Sequence, residues 1–237
     1  MPINLALTTR QVRTLEGDVR EADLTSASPG LFETAVPWRQ FRWYRGQRHY
    51  SGSYWCATSA SMVGYESRLE LANLLSEDFD PQTSWILSQP LLMSGMDGKR
   101  ARRHIPDYLV ERPDGSLCII DVKPAAMMDD QRVAESLQWS REVIGACGWE
   151  YRVQAEPENI RLANIRFLAG YRRPFQFVPV ELQAVASAID GPMTIRGAAA
   201  TASAVVGDDA RARGFVFHLL WNGTLHADLS RPLQHDS

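Results

Sequence analysis

Apolar positions along this 237-residue chain fall into short blocks separated by strong stop signals. The clearest helical spacing follows Tyr65, where Leu71, Leu74 and Leu75 stand at i, i+3 and i+4 until Asp80-Pro81 ends the pattern. Trp85 to Met93 is a continuous apolar run of strand length, with Pro90 hinting at an edge or a bulge. Two further strand-like runs, His104 to Glu111 and Ser116 to Val122, are joined by Arg112-Pro113-Asp114-Gly115. A second helix is predicted over Asp129 to Ala146, with Val133, Leu137, Ser140 and Ile144 on one face and Gly148 beyond its end. Trp149 to Val153 alternates like a strand, and Pro157 to Leu168 suits a short helix.

The ends read differently. The first 36 or so residues show no sustained periodicity, and Ser26 to Gly30 has loop composition, so residues 1–37 are expected to form an arm. After Tyr171-Arg172-Arg173-Pro174 the composition turns alanine-rich, with short helical patterns and a closing pair of apolar runs, Val216 to Trp221 and Leu225 to Leu229. Asn222-Gly223 between those runs is a hairpin signal. The expectation is an α/β protein: an arm, a catalytic domain over 38–174 with a mixed sheet flanked by helices, and a small winged-helix-like domain over 175–237.

Composition narrows the class. A net charge of −3 excludes a global basic field, although a local patch suffices for nucleic acid. No apolar stretch approaches a membrane span, and Met1 to Arg10 lacks a signal core, so a cytoplasmic protein is expected. The cysteines, Cys56, Cys118 and Cys147, lie far apart without a Cys-x-x-Cys pair, which speaks against disulfides and zinc. No nucleophile elbow, phosphate-binding loop or dinucleotide fingerprint is present. Two basic stretches are candidates for DNA: Arg39, Arg42, Arg45 and Arg48 interleaved with aromatics, and Lys99, Arg100, Arg102 and Arg103 just before the strand with Asp107. Both also suit solvated surface.

The chemistry concentrates in Ile105-Pro106-Asp107 and Asp121-Val122-Lys123. Pro113 and Asp114 fit the centre of a type I turn and Gly115 the left-handed residue after it, a three-residue loop that pairs Arg112 with Ser116. Counting back sets Asp107 opposite Asp121 on one face, with Lys123 sharing it. A two-residue Asp114-Gly115 loop would put the acids on opposite faces instead. Opposed carboxylates destabilise a sheet unless a cation lies between them, and their oxygens match the preference of magnesium. Glu66 or Glu70, four apart on the first helix, would complete the site, and the pattern does not choose between them. Such a constellation suits metal-dependent phosphodiester hydrolysis, with Lys123 positioning the nucleophile or stabilising the transition state. His104, three residues from Asp107, has the opposite parity and reads as structural.

Taken together, Tyr65-Glu66-Ser67-Arg68-Leu69-Glu70, Ile105-Pro106-Asp107, Ile120-Asp121-Val122-Lys123-Pro124 and Gly148-Trp149-Glu150-Tyr151 resemble the TnsA family, the endonuclease subunits of heteromeric DNA transposases. The resemblance covers roughly residues 40 to 170 and implies a restriction-endonuclease-like core. It implies Glu66, Asp107 and Asp121 as metal-binding acids, the Val122 carbonyl as a further ligand and Lys123 as the catalytic lysine. The implied cofactor is Mg2+, with Mn2+ able to substitute. The implied partners are double-stranded DNA at transposon ends, a DDE-type transposase that cuts the other strand, and an AAA+ ATPase regulator. A stand-alone restriction or repair nuclease, and a catalytically silent DNA-binding adaptor, are the alternatives.

Overall fold

The computed structural model describes residues 8–22, 29–39 and 50–234. It is a mixed α/β protein whose chain divides into two compact units, Met1–Asp78 with Gln82–Glu156, and Phe79–Pro81 with Pro157–Ser237.

The first unit holds the strands. Strands β9 (Tyr108–Glu111) and β10 (Leu117–Val122) pair antiparallel, with Leu117 facing Glu111 and Ile120 facing Tyr108. The turn between them is the expected three-residue loop: Arg112 and Ser116 close it, and Gly115 takes φ +80°. Every residue of β10 is buried, as for a central strand covered on both faces. Strand β6 (Trp85–Ser88) adds antiparallel outside β9, and β11 (Glu150–Gln154) adds parallel outside β10, giving the order β11-β10-β9-β6.

The crossover from β10 to β11 is the helix α2 (Gln131–Gly145), begun by Asp130, whose carboxylate accepts from the Arg132 and Val133 amides. It buries Trp139, Ser140, Val143 and Ile144, so Ser140 and Ile144 of the expected face point inward while Val133 and Leu137 are only half-buried. Trp139, Val143 and Ile144 pack with Leu109, Leu117, Ile119 and Trp149, each burial contributing about 1.5–3 kcal/mol.

Residues expected to form an arm are instead part of this unit. Strand β1 (Thr9–Thr14) is the hub of a second sheet, pairing with β2 (Val19–Ala22), β3 (Ala35–Val36) and β7 (Leu92–Asp97), which in turn pairs with β8 (Arg100–His104). The strand escapes a hydropathy reading because its inward positions are Arg10, Val12 and Thr14, only one of them apolar. Buried Arg10 donates to the Cys147 sulfur at 2.6 Å. The apolar run from Trp85 is likewise two strands in different sheets, broken at Gln89-Pro90.

A hairpin, β4 (Gly52–Cys56) with β5 (Ser61–Tyr65), completes the unit with helix α1 (Arg68–Phe79). Asp78 ties them together. Its Oδ2 accepts from the Tyr54 hydroxyl (2.7 Å) and the Ala57 amide, and its Oδ1 from the Thr58 amide and Cys56 Sγ. Burial pushes the Cys56 thiol up to about 12, and the Asp78 charge adds to the rise.

Among its described residues the second unit has helices and no strand: α3 (Asn159–Leu168), α4 (Pro179–Ala188), α5 (Ile195–Val206) and α6 (Asp209–Trp221). The boundary falls at Glu156/Pro157 rather than at 174. Buried Asn164 explains why α3 belongs with the C-terminal residues: its side chain donates to the Leu229 and Arg231 carbonyls and accepts from the Leu233 amide. The expected closing hairpin is corrected too, and with it the wing of a winged helix. Residues 216–221 are helical, Asn222 caps α6, Gly223 takes φ +75°, and the Leu225 amide returns to the Leu219 carbonyl. Asn-Gly supplies a positive φ, which a helix end needs as much as a tight hairpin does. No helix among the described residues is long and apolar enough to cross a membrane.

Removing Asp78 leaves the Tyr54, Ala57 and Thr58 donors without their acceptor. Asp78→Ala is expected to cost about 3 kcal/mol, read as faster hydrogen exchange of the hairpin amides, with α5 and α6 unaffected.

Candidate active site

The site forms where the chain leaves one sheet for the other. Strand β8 ends at His104, and β9 of the second sheet begins at Tyr108, so Ile105-Pro106-Asp107 is a short connection between them. The Asp107 backbone is pinned at both ends: its amide donates to the Ile120 carbonyl (3.1 Å) and its carbonyl accepts from the Gln89 amide (2.8 Å).

Asp107 sits at the edge, its side chain 19% exposed, with Oδ2 accepting from the Val122 amide at 2.6 Å and lying 3.5 Å from Lys123 Nζ. Lys123 Nζ also donates to the Val122 carbonyl at 3.1 Å. Burial raises the Asp107 carboxyl above its usual range; Lys123 opposes the rise and the neighbouring charge of Asp121 adds to it.

Asp121 is wholly buried. Both its oxygens lie within 2.8 Å of His104 Nε2, and Oδ2 accepts from the Tyr151 hydroxyl at 2.5 Å. Burial pushes its pKa upward, but hydrogen bonding and charge from His104, the Lys123 ammonium and the Tyr151 hydroxyl outweigh it and hold the group below its ordinary value. Tyr151 is raised in turn, chiefly by burial and then by the Asp121 charge, and keeps its proton. The two aspartates therefore diverge in proton affinity although they share one edge.

The helix acids are distinguished by the start of α1. Glu66 and Glu70 do not share a helix: Ser67 precedes the first helical residue and Glu66 lies outside it. Ser67 and Glu70 form a capping box, in which the Glu70 amide donates to Ser67 Oγ while Glu70 accepts from the Glu66 amide (2.7 Å) and the Ser67 hydroxyl (2.9 Å). Burial pushes the Glu70 carboxyl up to about 7; those hydrogen bonds pull against it and the Asp107 charge adds to it. Glu66 is 39% exposed and lies 3.7 Å from Arg39.

Of the expected site residues, the structure brings Asp107, Asp121, Val122 and Lys123 to one edge, with Glu70 as the helix acid that feels Asp107. Among the described residues no three His, Cys, Asp or Glu side chains are gathered closely enough to hold an ion. The donor chemistry nevertheless fits a hard cation, since the carboxylates supply oxygen and Asp107 carries an unfavourable charge that a cation would relieve. In the second basic stretch, Arg102 is buried and committed to Asp97 (2.7 Å) and Glu135 (3.5 Å), and Arg100 lies 3.7 Å from Glu135. Lys99 and Arg103 are exposed. Arg42, Arg45 and Arg48 lie outside the described residues.

His104 and Tyr151 are the partners that sequence reasoning missed. Parity from Asp107 does not reach His104, because β8 and β9 belong to different sheets. Tyr151 shares the face of Asp121 through the parallel register that sets Ile119 against Tyr151, and a register across a helical crossover has no local signal. No known family model matches the chain, and no curated protein matches it either.

Because Glu70 binds its proton more tightly folded than unfolded, its contribution to stability is fully present below about pH 4.5 and is lost as pH rises through about 7. In metal-free protein, Glu70→Gln should flatten the fall in stability across that window, whose slope for one proton is at most about 1.4 kcal/mol per pH unit. Denaturant unfolding at a series of pH values reads it.

Proposed function

We propose that the first unit is a divalent-metal-dependent DNA endonuclease with a restriction-endonuclease-like core. We propose further that it serves as the endonuclease subunit of a heteromeric transposase, cutting the 5′ strand at transposon ends beside a DDE-type transposase and an AAA+ ATPase regulator. The observation that carries the chemistry is the pair of neighbouring aspartates with opposed proton affinities, one buried and ionised, one raised and facing a lysine. The assembly rests on the resemblance of Glu66, Asp107, Asp121 and Lys123, in their sequence settings, to the TnsA family.

Asp107 and Asp121 would hold the metal, with Glu66 and the Val122 carbonyl as further oxygens. A bound Mg2+ supplies an acidified water and a counter-charge to the phosphate. His104 and Tyr151 keep Asp121 ionised and fix its orientation, as partners behind a ligand do. Lys123, anchored on the Val122 carbonyl and beside Asp107, offers an ammonium to the charge that builds on the phosphate oxygens. A second reading, the silent DNA-binding adaptor, draws on the engagement of both Asp121 oxygens.

The test is a strand-resolved cleavage assay on transposon-end DNA with Mg2+, with and without the transposase and ATPase. Cutting of the 5′ strand that needs the partners and drops about 10²–10³-fold in Lys123→Ala supports the subunit. Robust cutting without partners indicates a stand-alone nuclease, and no cutting under any of these conditions favours the adaptor.

A further inference from the structure

Gln89 has no role in the chemistry above, yet it is buried, 5% exposed, with φ +47° and a proline after it. A positive φ is natural for glycine and costly for a glutamine, and a following proline restricts the backbone further. Such a conformation persists only where the surroundings fix it. Here three hydrogen bonds do so. The Gln89 amide donates to the Asp107 carbonyl (2.8 Å), its carbonyl accepts from the Trp38 amide (3.0 Å), and its side-chain Oε1 accepts from the Arg39 amide (3.0 Å). A single residue thus joins the backbone of the acid to the first arginine of the Arg39-to-Arg48 segment. The Arg13 guanidinium lies over the Trp38 ring at 5.6 Å and steadies the same stretch.

Arg39 is fixed at its backbone and loose at its tip. Its side chain is 59% exposed, and its 3.7 Å approach to Glu66 is too long and too solvated to occupy a guanidinium that carries five donors. A planar fork held 3.7 Å from the Glu66 carboxylate, with donors to spare among the described residues, suits bidentate capture of a phosphate entering there. We infer that Gln89 is a positioning residue, which holds Arg39 at the mouth of the acidic edge so that its guanidinium binds a backbone phosphate of the DNA strand being cut. This inference rests on the nuclease reading.

Two variants separate that role from a purely structural clamp. Gln89→Met keeps the bulk and the backbone bonds and removes only the acceptor for the Arg39 amide; Gln89→Gly removes the φ cost as well. In both, hydrogen exchange at the Arg39 amide should accelerate. In the partner-complete cleavage assay KM should rise roughly 3–10-fold, more than kcat falls, and the salt dependence should lose about one phosphate contact, as in Arg39→Ala. The Gln89→Met, Arg39→Ala double variant should be no worse than Arg39→Ala alone, because both act through one contact. Gln89→Gly should show the KM effect without a loss of thermal stability. An unaltered KM and salt slope with accelerated exchange overturns the inference and leaves the nuclease reading intact. Unaltered exchange in Gln89→Met overturns it as well, since the side chain is then not the tether. Failure of the unmodified protein to bind or cut DNA removes both readings, while the exchange measurement still reports the tether.

Discussion

A fully buried carboxylate has to be paired, and the arrangement around Asp121 is a consequence of that constraint. Its partners come from elements far apart in the chain: His104 from the end of one sheet, Tyr151 from the parallel edge strand of the other. Removing one partner would leave charge uncompensated on a side chain that water does not reach. The pairing therefore ties the end of β8 to the four-stranded sheet at the place where the candidate chemistry sits.

The same edge separates two identical side chains into different chemical roles. Asp121 has its negative charge satisfied internally, whereas Asp107 has burial and a like-charged neighbour working against its ionisation. Lys123 offsets part of that burden and the Val122 amide another part. What is left at Asp107 is a carboxylate whose ionisation is still disfavoured, set beside a lysine at a partly exposed edge.

Much of the central hairpin was legible because its information is local. Pro113, Asp114 and Gly115 determine the loop, the loop determines the register, and the register brings Asp107 and Asp121 to the same edge. Helix α1 was legible for the same reason, although its capping box moves Glu66 outside the helix and leaves Glu70 inside. Long-range pairings were not legible. Strand β1 presents Arg10 and Thr14 inward, so its place at the hub of a sheet leaves no apolar stripe. His104 and Tyr151 meet Asp121 through sheet order and a crossover register, neither of which is written in any short stretch. Asn222-Gly223 signals a hairpin in the sequence and ends a helix in the structure, because a helix terminus needs the positive φ of Gly223 as a tight hairpin does.

The second unit draws three of its residues, Phe79–Pro81, from the middle of the first unit's sequence. The Phe79 ring meets the Trp221 indole edge-on at 5.3 Å, so one half of that aromatic pair leaves the ribosome long before the other. During synthesis the last residue of α1 is an apolar side chain waiting for its partner, and Asp80-Pro81 keeps the helix from growing past it in the interval. The first unit can gather its own sheets meanwhile, but the end of α1 reaches its final environment only when α6 is complete. The aromatic pair that Phe79 begins is therefore closed only after the last helix has been made.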